Sequence, residues 1–350
     1  MIGRADTLVH LDQVLGGDCR LVTLVGPGGI GKSRVAAAWA IAASRRTARV
    51  ELIAAAGLSD PELGAELSRV LSGLGEDAPT VVVIDDLECS GFAAVLTEHL
   101  GAHPALRFLV TTRSRLDVHG EAAVPLGPLP RADAFALLRE RGRAVRDDLH
   151  LEDEPDRLMG EEIVERVGRN PLAIELAAER LATMSVGELA AALRTAPFRV
   201  LTSGLADTPA RHRSIERVLA AEWDALSPTS RSLAAAVSVF SGSFDRSALA
   251  AVVGGNDEDA VELGLRELVT RSWLETITRS DVTRFHMGAL TATFASRHRG
   301  PEAAVRWERW LIDVTASWGL DECSTSRAAR GAGSDARARV AHARRDPHAP

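Results

Sequence analysis

The stretch LVTLVGPGGIGKSRVAAAWA (21–40) constrains the fold more than any other segment of the chain. An apolar run leads straight into Gly-x-x-x-x-Gly-Lys-Ser, and a helical pattern follows at once. That order describes a buried strand turning sharply into a helix N-terminus. Glycines let the backbone N–H groups turn inward, and the helix adds the positive end of its dipole, so the loop can cradle phosphate. Lys32 is the only lysine of the chain, which otherwise uses arginine as its strong base. An ammonium is a compact point charge on a flexible stem, and arginine's planar fork cannot imitate it in so tight a loop. Gly26, Pro27, Gly28, Gly29, Ile30, Gly31, Lys32 and Ser33 are therefore the expected phosphate site. Lys32 would reach the β and γ phosphates, and the Ser33 hydroxyl would bind Mg²⁺.

The surrounding sequence predicts the sheet such a loop needs. Short apolar runs at 20–26, 49–55, 80–86, 107–113 and 122–127 alternate with helical patterns at 33–45, 60–74 and 91–102, the signature of βαβ units and a parallel sheet. VVVIDDLE (81–88) reads as a Walker B strand, with Asp85 at its end as the Mg²⁺ ligand opposite Ser33. Asp86 stands where a carboxylate can polarise an attacking water, although it can equally serve only to cap the strand end. Its side chain is shorter than glutamate's, so slow turnover is the expectation. RFLVTTRSR places Thr112 and Arg113 at the carboxyl end of another strand, where open α/β sheets bind ligands. Arg113 is thus a candidate γ-phosphate sensor, or an arginine paired with surface carboxylates.

After PLGPLPRADA the strands stop. Four helical patterns run from 131 to about 195, interrupted by a loop dense in acids from Asp147 to Asp156. RHRSIERVLAAEWDALS (211–227) opens a third unit of short helices. SWLETIT with TRFHMGAL then predicts a β-hairpin, giving the helix, helix, helix, hairpin order of a winged helix. Trp223, Trp307 and Trp310 sit at helical spacing among apolar neighbours and are expected in cores. Beyond Trp318 an Ala/Arg/Gly tract offers little to bury, and disorder is expected there. The expected organisation is an α/β P-loop NTPase domain with a parallel sheet (1–129), a small helical domain (130–205), a winged-helix domain (206–300), a helical segment (301–320) and the tail (321–350).

These motifs, in this order, resemble the NB-ARC type of STAND signalling ATPase, and most nearly the ATPase core of actinobacterial antibiotic-regulatory and LuxR-type transcriptional regulators. The resemblance covers about residues 1–300 and is carried by MIGRADTLVHL, LVTLVGPGGIGKSR, VVVIDDLE, FLVTTRSRL, NPLAIELAAERLATMS, RHRSIERVLAAEWDALSP and VSVFSGSFDRSALAAV. It implies an ATP/ADP switch in which the three domains close over nucleotide. It also implies that Ile2, Gly3 and Arg4 lie by the adenine and ribose, that Arg34 completes the phosphate motif, and that Pro171 touches the adenine. The sequence departs from the family where Arg169 replaces a glycine two residues before the proline. It departs again where Met287-Gly288-Ala289, with His286 displaced, stands for a Met-His-Asp motif. Relatives carry a DNA-binding effector ahead of the ATPase and helical repeats after it, so a fragment, a truncated gene product or a partner that acts in trans is expected here.

A net charge of -7 gives no general attraction to nucleic acid, and Asp257, Glu258, Asp259 and Glu262 on the helix that would enter a DNA groove argue against direct DNA binding. Cys19, Cys89 and Cys323 are far apart, which suits a reducing compartment. With no leader pattern and no run of 18 apolar residues, a cytoplasmic protein without membrane contact is expected. The competing reading is a kinase-like metabolic P-loop enzyme or a degenerate nucleotide-binding fragment. A kinase would need a second-substrate site and an arginine-rich lid within the α/β domain, and the sequence offers neither. The preferred reading is a nucleotide-dependent regulatory switch that self-associates on binding ATP.

Overall fold

The structure, a computed structural model, describes residues 1–46, 49–73, 79–88, 91–203, 213–254, 257–279 and 282–318, with side chains to 314. It divides into two compact units, 1–215 and 216–350. The expected disordered tail lies outside the described residues.

In the first unit a five-stranded sheet is built from β1 (Leu21–Val25), β2 (Arg49–Ala54), β3 (Thr80–Leu87), β4 (Leu106–Thr112) and β5 (Glu121–Pro125). Its order is β2-β3-β4-β1-β5, and every pairing is parallel. Alternation along the strands decides which side chains meet which helix layer. Val81 and Val83 of β3 join Val22, Leu24 and Leu109 beneath α1 (Ala5–Gly16) and α2 (Lys32–Ser44), where Leu11, Leu15, Val35 and Trp39 close the core. Val82 and Ile84 point the other way, with Phe108 and Val110, into Leu63 and Leu67 of α3 (Asp60–Ser72) and Phe92 and Leu96 of α4 (Phe92–Ala102). The helix α1 was not anticipated from the sequence pattern. Its Leu8, Leu11 and Leu15 recur at helical spacing, but in a segment only twelve residues long.

The same unit continues as a helical module: α5 (Arg131–Val145), α6 (Asp156–Arg166), α7 (Pro171–Arg180), α8 (Val186–Thr195) and the single turn α9 (Pro197–Val200). These are the four expected helices plus one turn. Glu162 of α6 ties the module together, accepting from Arg166 of its own helix and from Arg194 of α8, each at 2.7 Å. The hydrogen bond from Arg194, reinforced by Arg166, holds the Glu162 carboxyl at about 2 against an ordinary 4.5, although burial opposes it. A carboxyl depressed by folding contributes stability that is complete above its unfolded pKa and is lost as pH falls through the folded one. The Glu162 contribution should therefore disappear between about pH 5 and pH 2. Glu162→Gln should lower stability at pH 7 by about 1 kcal/mol and flatten the loss on acidification. Thermal melts of both proteins at pH 7, 4 and 3 measure this, and parallel curves would refute it.

The second unit contains α10 (Ile215–Asp224), α11 (Pro228–Val237), α12 (Arg246–Val253) and α13 (Glu258–Thr270), then an antiparallel ribbon of β6 (Glu275–Arg279) and β7 (Val282–His286), and finally α14 (Ala289–Ser296) and α15 (Pro301–Trp318). Four helices, not three, thus precede the ribbon. Its core is aromatic: Trp223 lies 5.5 Å from Trp273 and 5.9 Å from Phe294, ring centre to ring centre. Trp223 is buried as expected, whereas Trp307 and Trp310 on α15 are only half-buried, the latter edge-on to Phe240. Met287 is buried at the end of the ribbon, and Gly288 caps α14, so Met287-Gly288-Ala289 forms a strand-to-helix junction.

Candidate functional site

Parallel strands present all their carboxyl ends on one edge, and on that edge lie the loop 26–31, Asp85, Asp86 and Arg113. Val25 is in register with Thr112 on one side and Pro125 on the other. One strand, β4, separates the loop-bearing β1 from the aspartates of β3.

The loop is shaped by backbone freedom and anchored by one apolar side chain. Gly29 (φ 74°) and Gly31 (φ 98°) take left-handed conformations that only glycine adopts at low cost. Between them Ile30, 1% exposed, plugs into the α1/α2 core layer. Lys32 opens α2 and is buried, its Nζ donating to the loop carbonyls of Gly26 at 2.7 Å and Pro27 at 3.1 Å. Ser33 and Arg34 follow, exposed on the first turn.

The chain start clasps this loop. Arg4 is buried, and its Nη2 donates to Ile30 O at 3.1 Å and to Gly127 O at 2.8 Å, joining the loop to the segment after β5. Burial draws the Arg4 pKa down from its ordinary value, while the charge of Asp133 works against that shift. Beside it Gly3 (φ 66°) packs so closely on Asp133 of α5 that a Cβ would stand 2.7 Å from the Asp133 Cβ; Ile2 is half-buried next to it.

At the end of β3 the pairing slips. Ile84 faces Val110 and Leu87 faces Thr112, so β3 carries one residue more than β4 opposite it. The bulge puts Asp86 at φ 63°, a left-handed conformation that aspartate tolerates better than most residues. Thr111 secures both sides: its hydroxyl donates to Asp85 Oδ1 at 2.6 Å and accepts the Asp86 N–H at 2.8 Å. Regular alternation would aim the two carboxylates at opposite faces, and the bulge breaks that alternation at the site. Arg113 pairs with Glu88 at 2.7 Å, the surface-carboxylate alternative left open by the sequence. Among the described residues no group of three or more His, Cys, Asp or Glu side chains could hold a metal alone. Ser33 and Asp85, a hydroxyl and a carboxylate on this edge, are hard-oxygen groups of the type that Mg²⁺ takes alongside phosphates and water.

Pro171 is buried at the first position of α7, and the residues around it reach the loop. Asn170 Nδ2 donates to Gly28 O at 3.0 Å and the Leu172 N–H to Gly29 O at 3.2 Å. Glu175 accepts both Arg34 guanidinium nitrogens, at 2.7 and 3.2 Å, and Arg141 Nε at 3.2 Å. The Glu175 hydrogen bond raises the Arg34 pKa. Asn170 is presented by a tight turn in which Gly168 (φ 65°) and Arg169 (φ 52°) are both left-handed. Sequence reasoning missed Thr111, Asn170, Glu175 and Glu88. An Asn-Pro pair before an apolar run signals a helix cap, but nothing local signals what the cap's other end touches.

No family model matches the chain. The uncharacterized protein Rv0894 of Mycobacterium tuberculosis H37Rv is 34% identical over 282 residues, 74% of this chain and 70% of that protein. Mb0918 of Mycobacterium bovis matches to the same extent. Rv0890c of M. tuberculosis, provisionally named an HTH-type transcriptional regulator, is 30% identical over 258 residues, which is 69% of this chain and 29% of that longer protein. Among solved structures, the STAND protein with a tetratricopeptide repeat sensor, PH0952 of Pyrococcus horikoshii, aligns with a TM-score of 0.34 and 16% identity over 89% of this chain and 45% of that one. The FIGL-1 AAA domain in complex with ADP aligns with a TM-score of 0.40 and 16% identity over 59% of this chain and 84% of that one. No helix among the described residues is long and apolar enough to cross a membrane.

Proposed function

We propose that this chain, which belongs to the same family as the mycobacterial protein Rv0894, is an ATP/ADP-binding regulatory switch of the NB-ARC type with slow hydrolysis at best. One observation carries the reading: a Gly-x-x-x-x-Gly-Lys-Ser loop, left-handed at two glycines, joins β1 to α2 at the carboxyl edge of an all-parallel sheet. That is the strand–loop–helix context in which the motif binds phosphate. The 30% identity with Rv0890c supports the regulatory side.

In this reading the backbone N–H groups of Gly28 to Ser33 take the phosphates and Lys32 leaves the Gly26 and Pro27 carbonyls for phosphate oxygens. Ser33 and Asp85 would hold Mg²⁺, which when bound neutralises phosphate charge. Thr111 keeps the Asp85 carboxylate oriented, and Asp86 receives the proton of an attacking water. Arg113 would turn to the γ-phosphate, which must compete with Glu88 for its guanidinium. Ile2, Gly3, Arg4 and Pro171 would flank the adenosine. In the second unit the helices and the ribbon are read as a winged helix that contacts no DNA, because Asp257, Glu258, Asp259 and Glu262 crowd the start of α13. ATP in place of ADP would favour self-association, as sedimentation with a nonhydrolysable analogue can test.

Denaturing the purified protein and identifying the released nucleotide tests the reading. Near-stoichiometric ADP is expected. An empty protein that takes up neither ADP nor ATP would overturn it.

A further inference from the structure

A loop that turns its N–H groups toward phosphate must satisfy its carbonyls elsewhere. Here two of those carbonyls are taken by the start of α7: Gly28 O by Asn170 Nδ2 and Gly29 O by the Leu172 N–H. The other end of the same amide caps the helix, Asn170 Oδ1 accepting from the Leu172 N–H at 3.0 Å and the Ala173 N–H at 3.3 Å. Two N–H donors on Oδ1 fix which end of the amide is oxygen, so the end facing Gly28 is the NH₂. Van der Waals contact completes the fit, since a Cβ on Gly29 would stand 2.8 Å from Leu172 Cβ. One turn further along, Glu175 holds Arg34 from the first turn of α2 and Arg141 from α5. The helical module therefore grips the phosphate loop itself on the loop's carbonyl side.

We propose that Asn170 is a positioning residue for nucleotide: its side-chain amide holds Gly28, and the helix start that it caps holds Gly29 through the Leu172 N–H, in the phosphate-receiving conformation, so phosphate binding and the seating of α7 are linked equilibria. A loop held open for phosphate spends less binding energy on ordering, and nucleotide in turn strengthens the seat of α7 by the same factor. The inference rests on the loop being a nucleotide site, but the latch itself can be tested by loop exchange without ligand.

Asn170→Asp separates the two jobs of the side chain. Aspartate caps a helix as well as asparagine, but it replaces the donor facing Gly28 O by an acceptor. The expected result is about tenfold weaker ADP binding with α7 still protected from amide hydrogen exchange. In the nucleotide-free variant the peptide spanning residues 26–33 should exchange faster than in the wild type. Unchanged exchange in that loop, or wild-type ADP affinity in a variant whose loop has loosened, would overturn the proposal. If the wild type binds no ADP, the nucleotide reading fails by itself, and loop exchange in the two nucleotide-free proteins still decides whether Asn170 holds the loop. A purely structural capping role, which aspartate fills equally well, would leave both the α7 amides and the loop unchanged.

Discussion

Lys32→Ala should weaken ADP and ATP binding by about a hundredfold or more while leaving the fold intact. The Lys32 ammonium is buried and already directed at the loop, with Gly26 O and Pro27 O as its partners. Phosphate oxygens replace neutral carbonyl acceptors with charged ones, and hydrogen bonds between charged groups contribute about 1.5–3 kcal/mol each. Two such contacts amount to roughly two decades of affinity or more at about 1.4 kcal/mol per decade, even after the carbonyl bonds are given up. Some stability should be lost as well, because the buried Gly26 carbonyl loses the Lys32 donor. Lys32→Arg should also fail to bind, since a planar fork cannot fold back onto the Gly26 and Pro27 carbonyls as a point charge does. Calorimetric titration with ADP decides the matter. An alanine variant within threefold of the wild type would mean that the loop does not bind phosphate.

Much of the scaffold of this site is legible in the sequence. Runs of six or seven mostly apolar residues between helical patterns marked every strand of the sheet; the central strands β1, β3 and β4 are covered on both faces and so apolar on both, whereas the edge strand β2 leaves Leu52 exposed. The glycine-rich loop was legible as a sharp strand-to-helix turn because its signals are local: the spacing, the glycines and the single lysine all lie within eight residues. What escaped is what depends on pairing between distant segments. The bulge that turns Asp86 left-handed exists because β3 has one residue too many against β4, and register cannot be read from either strand alone. Thr111 looked like any strand residue until the bulge brought Asp85 and the Asp86 N–H to its hydroxyl. Arg113 was legible as a cation on the right edge, yet its partner Glu88 lies on another strand's exit. The helix α1 was too short a pattern to stand out, although Arg4 at its start proves to clasp the 26–31 loop to the segment after β5.

Gly29→Ala should cost the nucleotide-free protein about 2–5 kcal/mol and loosen the helical module from the α/β module. Two independent penalties meet at this position. The backbone is left-handed at φ 74°, where a side chain costs about 1–2 kcal/mol relative to glycine. The new methyl would also stand 2.8 Å from Leu172 Cβ and 3.0 Å from Asn170 Oδ1. Overpacking of this kind costs about 1–3 kcal/mol, and neither neighbour can yield freely. Leu172 Cβ is carried by the backbone of α7, and Asn170 Oδ1 is engaged with two N–H groups of that helix. Relief therefore has to come from moving α7 itself, which breaks the Leu172 and Asn170 bonds to the loop and pulls Glu175 from Arg34. Gly31→Ala is the discriminating control. That glycine is also left-handed, at φ 98°, but a Cβ there meets nothing within 4 Å, so only the backbone penalty applies. Denaturant unfolding of both variants should place Gly29→Ala below Gly31→Ala by at least 1 kcal/mol. Equal losses would mean that the α7 contact exerts no force on the loop, and the coupling between phosphate site and helical module would fall with it.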